Sequence, residues 1–252
     1  MDLTTGRLYE DGKHYDLKYQ EYVDDIPFYV EQADRFGGPI LEMFAGTGRI
    51  TIPIAEAGHE ITGVDLSPDM IAWGKEKARE AGVEIEWIQG DILDLHLDRK
   101  FNLVLIPFTS IAHMLEMKDI VTVFDRVKEH LAEDGTFIMD VFNPDPSFMV
   151  REPDERRVQA EYEDPDGRGH LTIEETLVYD KAAQVNRVKW HYMIEGEEWK
   201  VVDLDVRVFY PEELLLLLEH NGFEVVERYG YFDRSEFTSE SKKQVMICRI
   251  KR

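Results

Sequence analysis

An open, mostly parallel α/β sheet with an antiparallel sheet inserted late in the chain is the fold class this sequence predicts. Three patterns carry the expectation. Short apolar runs alternate with amphipathic stretches from 39 to 142, period-two alternation takes over between 143 and 210, and a helix with two further strands closes the chain.

Ahead of the sheet, the tyrosine-rich segments 15–22 and 28–36 read as helical pieces able to cap its open end. Five strands are expected at 40–44, 61–64, 85–88, 103–106 and 137–141. Strand, helix, strand at this spacing gives parallel βαβ units with right-handed crossovers. Pro53 fits the helix after the first strand only if that helix begins near Ile50, so that the missing N–H falls in its first turn. The next helix has Ser67 as its N-cap, Pro68 at its first position and Gly82 to close it.

Pro144, Pro146, Pro153 and Pro165 then break any helix, and strands are expected at 171–179, 185–195 and 199–210. Val188, Trp190, Tyr192 and Ile194 share one face, with Arg187, Lys189 and His191 on the other. Val202, Leu204, Val206 and Val208 likewise oppose Asp203, Asp205 and Arg207. This is an antiparallel sheet apolar on one side, its charged face a cross-strand ion ladder. It serves as a lid, a dimer surface or both. Pro211-Glu212-Glu213 opens a last helix, Gly222 ends it, and strands at 223–226 and 245–250 complete a seven-stranded sheet of order 3-2-1-4-5-7-6. The expected organisation is a helical cap at 1–36, a ligand-binding domain made of 37–143 and 211–252, and an inserted β region at 144–210.

Composition narrows the function. Against 52 Asp plus Glu stand 29 Lys plus Arg, a net charge of −23 with no basic cluster to offset it. That field repels phosphate backbones, which argues against nucleic acid and favours a small amine or neutral molecule. No window approaches 18 uncharged apolar residues and the N-terminus is polar, so neither a membrane span nor a secretion signal is expected, and a cytoplasmic protein is. Cys248, the single cysteine, lies in an apolar run and reads as a small core residue. His59, His96, His130 and His170 lack metal-ligand spacing, so no metal is expected. Monomer and homodimer are equally compatible with the sequence.

The chemistry concentrates after the first strand. Gly46 and Gly48 let the backbone turn tightly and pass close to a ligand, the following helix offers free N–H groups, and Asp65 ends the next apolar run where it accepts ribose hydroxyls. A nucleotide-bearing cofactor is implied. A dinucleotide fingerprint would want a third glycine where Thr51 stands, which counts against a nicotinamide-dependent oxidoreductase.

Glu42-Met43-Phe44-Ala45-Gly46-Thr47-Gly48-Arg49 resembles the first motif of the class I S-adenosylmethionine-dependent methyltransferases, a Rossmann-like family. Gly63-Val64-Asp65-Leu66-Ser67-Pro68-Asp69-Met70 resembles the second motif and Gln89-Gly90-Asp91-Ile92 the third, so the likeness spans most of 39–252. Phe108-Thr109-Ser110-Ile111-Ala112-His113-Met114-Leu115, the β insertion and the Tyr15-Asp16 pair look like the small-molecule subgroup containing the nucleotide-amino-sugar N,N-dimethyltransferases. The resemblance implies S-adenosyl-L-methionine as cofactor. It also implies that Gly46 and Gly48 wrap its methionine portion, that Asp65 holds the ribose, that Asp91 and the Ile92 N–H read the adenine, and that Glu42 orders the loop. Tyr15, Phe44, Arg49, Leu66, Met70 and Pro107 complete the implied cofactor set. Phe44 departs from the motif, which usually has glycine there; its ring shapes the pocket or packs beneath the turn.

His113, just past the fourth strand's C-terminal end, is the candidate base or substrate contact for methylation of a small-molecule acceptor, most simply an amine. Tyr15 and Tyr19 are placed to close over a sulfonium or ammonium. A non-catalytic S-adenosyl ligand-binding protein is the alternative reading.

Overall fold

The computed structural model describes residues 9–252, so positions 1–8 of the expected cap lie outside the described residues. The main sheet contains β1 (Ile40–Met43), β2 (Ile61–Asp65), β3 (Glu86–Gln89), β4 (Phe101–Ile106), β5 (Leu131–Phe142), β10 (Phe223–Tyr229) and β11 (Lys243–Ile250). Their spatial order is β3-β2-β1-β4-β5-β11-β10. β1 pairs parallel with both β2 and β4, while β11 runs antiparallel to β5 and β10. In sheet numbering this is the expected 3-2-1-4-5-7-6.

Strand alternation sends side chains to two helical layers. Leu41, Met43, Val104, Ile106, Phe137 and Met139 pack with α5 (Met117–His130) and α6 (Pro211–His220). There Phe137 and Phe223 lie 5.3 Å apart, ring centre to ring centre. Ile40, Leu103, Leu105, Ile138, Val245 and Ile247 face the opposite way, against Phe28, Tyr29 and Ala33 of α2 (Asp25–Phe36) and Ile54 of α3 (Thr51–Glu56). With both faces covered, the strands read as nearly continuous apolar runs. Cys248 is buried in the first layer, where burial pushes its thiol pKa up.

α4 (Pro68–Ala81) has the expected ends: the Ser67 hydroxyl accepts from the Met70 N–H, and Gly82 is left-handed at φ 72°. α3 starts one residue after Ile50, which leaves Pro53 in its first turn. The helix expected at 15–22 begins and ends earlier, as α1 (Gly12–Lys18), because the Asp11 carboxylate caps the N–H groups of Lys13 and His14.

The second sheet has order β6-β7-β8-β9. β7 (His170–Asp180), β8 (Val185–Ile194) and β9 (Glu197–Arg207) match the expected strands; β6 (Arg157–Glu163) was not foreseen. Only Tyr162 of β6 is buried, so this edge strand lacks an apolar stripe. Val188, Trp190, Tyr192, Val202 and Leu204 do share a buried face. The opposite face carries Arg187 paired with Asp205, Arg156 with Glu174 and Glu198, and His191 with Glu198.

Candidate functional site

The loop leaving β1 is shaped by three left-handed residues: Phe44 at φ 63°, Gly46 at 55° and Gly48 at 80°. Phe44 therefore stands where the backbone asks for glycine. Its ring packs against the main core, which offsets the steric cost an L-residue bears in that conformation. Gly48 is needed twice over, since a Cβ there would stand 2.6 Å from Trp87 Cη2. Gly74 receives the same ring, with a Cβ position 2.8 Å away. The close helix–strand approach that a third glycine would give is thus made by Trp87 lying on glycines. Thr51, at the position of that glycine, donates its hydroxyl to buried Glu42 at 2.5 Å.

Asp65 cinches the loop. Its Oδ2 accepts the Gly46 N–H at 2.7 Å and its Oδ1 the Ser67 N–H at 2.9 Å. Each oxygen keeps a further lone pair for a ribose hydroxyl. Burial raises the Asp65 pKa while backbone N–H bonds from Ser67, Gly46 and Leu66 oppose the shift. Glu42 orders the start of α3 rather than the glycine turn, and burial pushes its pKa up to about 8. Asp91 Oδ1 accepts the Leu93 N–H at 3.0 Å, capping a short turn whose Ile92 side chain is buried in the main core. Leu66 beside Asp65 is 43% exposed, an apolar face open to a base, and Met70 floors the turn beneath Gly46. The left-handed cradle, the unused lone pairs of Asp65 and the open Leu66 fit an adenosyl ligand.

α1 closes over this loop by dividing adjacent residues between tasks. Asp16 accepts from the Thr47 hydroxyl at 2.6 Å and the Trp73 indole N–H at 2.8 Å, with the Lys77 ammonium at 2.6 Å. Tyr15, one residue earlier, joins an aromatic row: Tyr9 to Tyr15 at 6.1 Å, Tyr15 to Tyr19 at 4.9 Å and Tyr19 to Phe108 at 4.8 Å between ring centres. Arg49 stacks 4.4 Å from the centre of the Phe108 ring, and both of its terminal nitrogens donate to buried Asp25 at 2.7 and 2.5 Å. Arg49 therefore anchors α2 and the wall instead of offering a free cation.

Pro107 is buried at the end of β4, and the chain beyond it carries His113 on a short 3-10 turn, Ser110–His113. The His113 Nε2 lies 2.7 Å from the Tyr9 hydroxyl, while Nδ1 is buried with no hydrogen-bond partner among the described residues. Burial lowers its pKa to about 4, so the ring is neutral at neutral pH. Where the sequence suggested a histidine exchanging protons near pH 7, the structure holds a neutral ring edge-on to Tyr9, 5.5 Å between ring centres. Tyr9 was not anticipated, since it lies 104 residues from its partner with no pattern around it. Trp190 and Tyr192 face inward and His191 outward, as strand alternation requires.

Among the described residues, one cluster has the composition of a metal site: His14, Asp164 and Asp166. Arg168 already fills its centre, donating to Asp164 Oδ1 at 2.7 Å and Asp166 Oδ2 at 2.9 Å and lying 3.3 Å from His14 Nε2. The cluster ties α1 to the inserted sheet.

Residues 40–135 match the family model described as a methyltransferase domain. A protein of Geobacillus sp. (strain WCH70) with a provisional methyltransferase name is 36% identical over 102 residues, which are 40% of this chain and 41% of that protein. The chain thus spans less than half the length of that relative. A dTDP-3-amino-3,6-dideoxy-alpha-D-glucopyranose N,N-dimethyltransferase of Streptomyces fradiae is 22% identical over 191 residues, covering 76% of this chain and 69% of that one. Among solved structures, the CcbJ methyltransferase from Streptomyces caelestis superposes with a TM-score of 0.77 at 24% identity, covering 91% of this chain and 90% of the other.

Proposed function

We propose that this chain, a class I S-adenosylmethionine-dependent methyltransferase, methylates the nitrogen of a small-molecule amine. The observation that carries the reading is the buried Nδ1 of a neutral His113, without a partner among the described residues, in a ring that meets the row Tyr9, Tyr15, Tyr19 and Phe108 at Tyr9. S-adenosylmethionine supplies an activated methyl group on a sulfonium, so the protein's work is alignment and exclusion of water. The ring faces attract a cationic acceptor, and the overall charge of −23 draws it in. The acceptor gives its ammonium proton to bulk water before it enters this desolvated space and arrives as the neutral amine. With its own proton on Nε2, shared with Tyr9, His113 then accepts an amine N–H at Nδ1 and aims the nitrogen lone pair. The Streptomyces fradiae relative, named for dimethylating an amino sugar, supports a nitrogen acceptor.

Under this reading 37–143 with 211–252 hold the cofactor, the described part of the cap, 9–36, covers it, and the insertion at 144–210 walls the acceptor side. The same charge argues for a small molecule over nucleic acid. The test is to incubate the pure protein with labelled S-adenosylmethionine and a panel of amines, amino sugars and phenols. Label should enter amines. Label entering only phenols, or no acceptor while S-adenosylhomocysteine binds well, would overturn the proposal.

A further inference from the structure

Beyond β4 the chain does something costly. Phe108 and Thr109, two consecutive residues with side chains, are both left-handed, at φ 59° and 61°. Single residues visit that region and pairs rarely do, because each Cβ then crowds a carbonyl oxygen. Something must hold them, and the candidate is the side chain of Asp140 near the end of β5, wholly buried on the α2 side of the sheet.

Asp140 Oδ1 accepts the Phe108 N–H at 2.7 Å and the Tyr29 hydroxyl at 2.7 Å. Its Oδ2 receives the Lys243 ammonium at 2.9 Å, and its backbone carbonyl accepts the Thr109 N–H at 3.1 Å. Lys243 also reaches the Thr109 hydroxyl at 3.3 Å. One buried carboxylate on a rigid strand thus gathers α2, β11 and the Phe108 N–H, while the main-chain carbonyl of the same residue takes the Thr109 N–H. Immediately beyond them lies the turn that carries His113, and Phe108 itself is the ring on which Tyr19 and Arg49 rest. A buried charge without a functional duty is replaceable by apolar packing, whereas here every donor it satisfies points at the loop or braces it.

We propose that Asp140 is a positioning residue for the transfer reaction: through the Phe108 N–H it holds the post-β4 loop in its paired left-handed conformation and so sets His113 and the aromatic wall. This rests on the reading that His113 faces the acceptor. Asp140 touches neither cofactor nor acceptor. Tyr29 and Lys243 act by fixing the carboxylate.

The test is a cycle between Asp140→Asn and Thr109→Gly. The amide must turn its NH2 toward either Lys243 or the Phe108 N–H and Tyr29 hydroxyl, opposing donor to donor, and it gives up the charge that strengthens these bonds, so the hold on the loop is weakened. Glycine at 109 adopts the left-handed state at no steric cost, so it lowers the anchoring required. Asp140→Asn should cut kcat/KM for an amine acceptor by about tenfold or more while the Kd for S-adenosylhomocysteine moves by less than about threefold. Thr109→Gly alone should stay within about twofold of the parent, and added to Asp140→Asn it should restore much of the loss.

A second readout does not require turnover. In an NMR titration the His113 ring should titrate near 4 in the parent, move toward the ordinary histidine value of 6.5 in Asp140→Asn as the loop opens to water, and return in the double variant. If Asp140→Asn does not fold, Lys243→Met, which removes one donor and leaves the loop bond, carries the same titration and should show a smaller shift in the same direction. An unmoved His113 titration in a folded variant, or a loss that Thr109→Gly does not recover, overturns the proposal. A parent that methylates no amine while the titrations behave as stated overturns only the proposed function.

Discussion

On the proposed reading, the two halves of the site are built by different means. The cofactor half, from β1 to β3, is local: Gly46, Asp65, Ser67 and Met70 bond or touch one another within a short stretch of chain. The acceptor half is assembled over long separations, with Tyr9 meeting His113 across 104 residues and Lys243 meeting Asp140 across 103. A binding loop for a fixed ligand is a backbone problem that neighbouring residues can solve. A wall shaped to a particular acceptor is a side-chain problem that distant elements solve together.

Substitutions test that division. Gly48→Ala should have the largest effect, because it combines left-handed strain with a 2.6 Å clash against the rigid Trp87 ring. A loss of about 3 kcal/mol in thermal or denaturant unfolding is expected, with cofactor binding lost alongside. Asp65→Ala and His113→Ala then separate the halves. The first should weaken cofactor binding by about 1–3 kcal/mol in titration calorimetry, from lost hydrogen bonds to Gly46, Ser67 and the ribose. The second should lower kcat by roughly ten- to a hundredfold with cofactor affinity nearly unchanged. Equal loss of both properties in either variant would dissolve the distinction.

The halves also carry opposite pH signatures. Glu42, with its pKa up at about 8, is protonated in the folded chain and ionised in the unfolded one, so its contribution falls as pH rises from 4.5 through 8. His113, pushed down to about 4, is neutral when folded and protonated when unfolded, so its contribution falls as pH drops from 6.5 through 4. Glu42→Gln keeps an acceptor for the Thr51 hydroxyl and removes the first slope. It should stabilise the protein at pH 8 by an amount on the order of 1–3 kcal/mol and change little at pH 5, read from unfolding midpoints across that range. No activity limb should appear between pH 6 and 7; kcat/KM should follow the acceptor amine's own pKa.

The smallest effect is the most diagnostic of the loop. Phe44→Ala loses ring packing and keeps the strain, whereas Phe44→Gly loses the packing and relieves it. The glycine variant should therefore be the more stable of the two by about 1 kcal/mol. Alanine above glycine would mean that the left-handed geometry at 44 is not costly.

What was legible in the sequence follows the same line. Strand order, the Ser67 cap, the place of Pro53 and the glycine turn depend on residues close in sequence, and all were readable. His113 was findable because it sits just past a strand end. Its depressed basicity was not, because the ring is covered by Tyr9, 104 residues away, which nothing local announces. Asp140 carries no local signal beyond being a polar residue inside the apolar run 137–141, and β6 was missed because an edge strand with one buried side chain carries almost no period.

α1 is fastened to the glycine loop and α4 through Asp16, and to the inserted sheet through His14, which lies 2.9 Å from the Tyr162 hydroxyl. On the proposed reading, α1 is therefore shared by the cofactor side and the acceptor side. Undocking these seven residues to free spent S-adenosylhomocysteine would also slacken the acceptor wall, so turnover would follow the rate of that undocking.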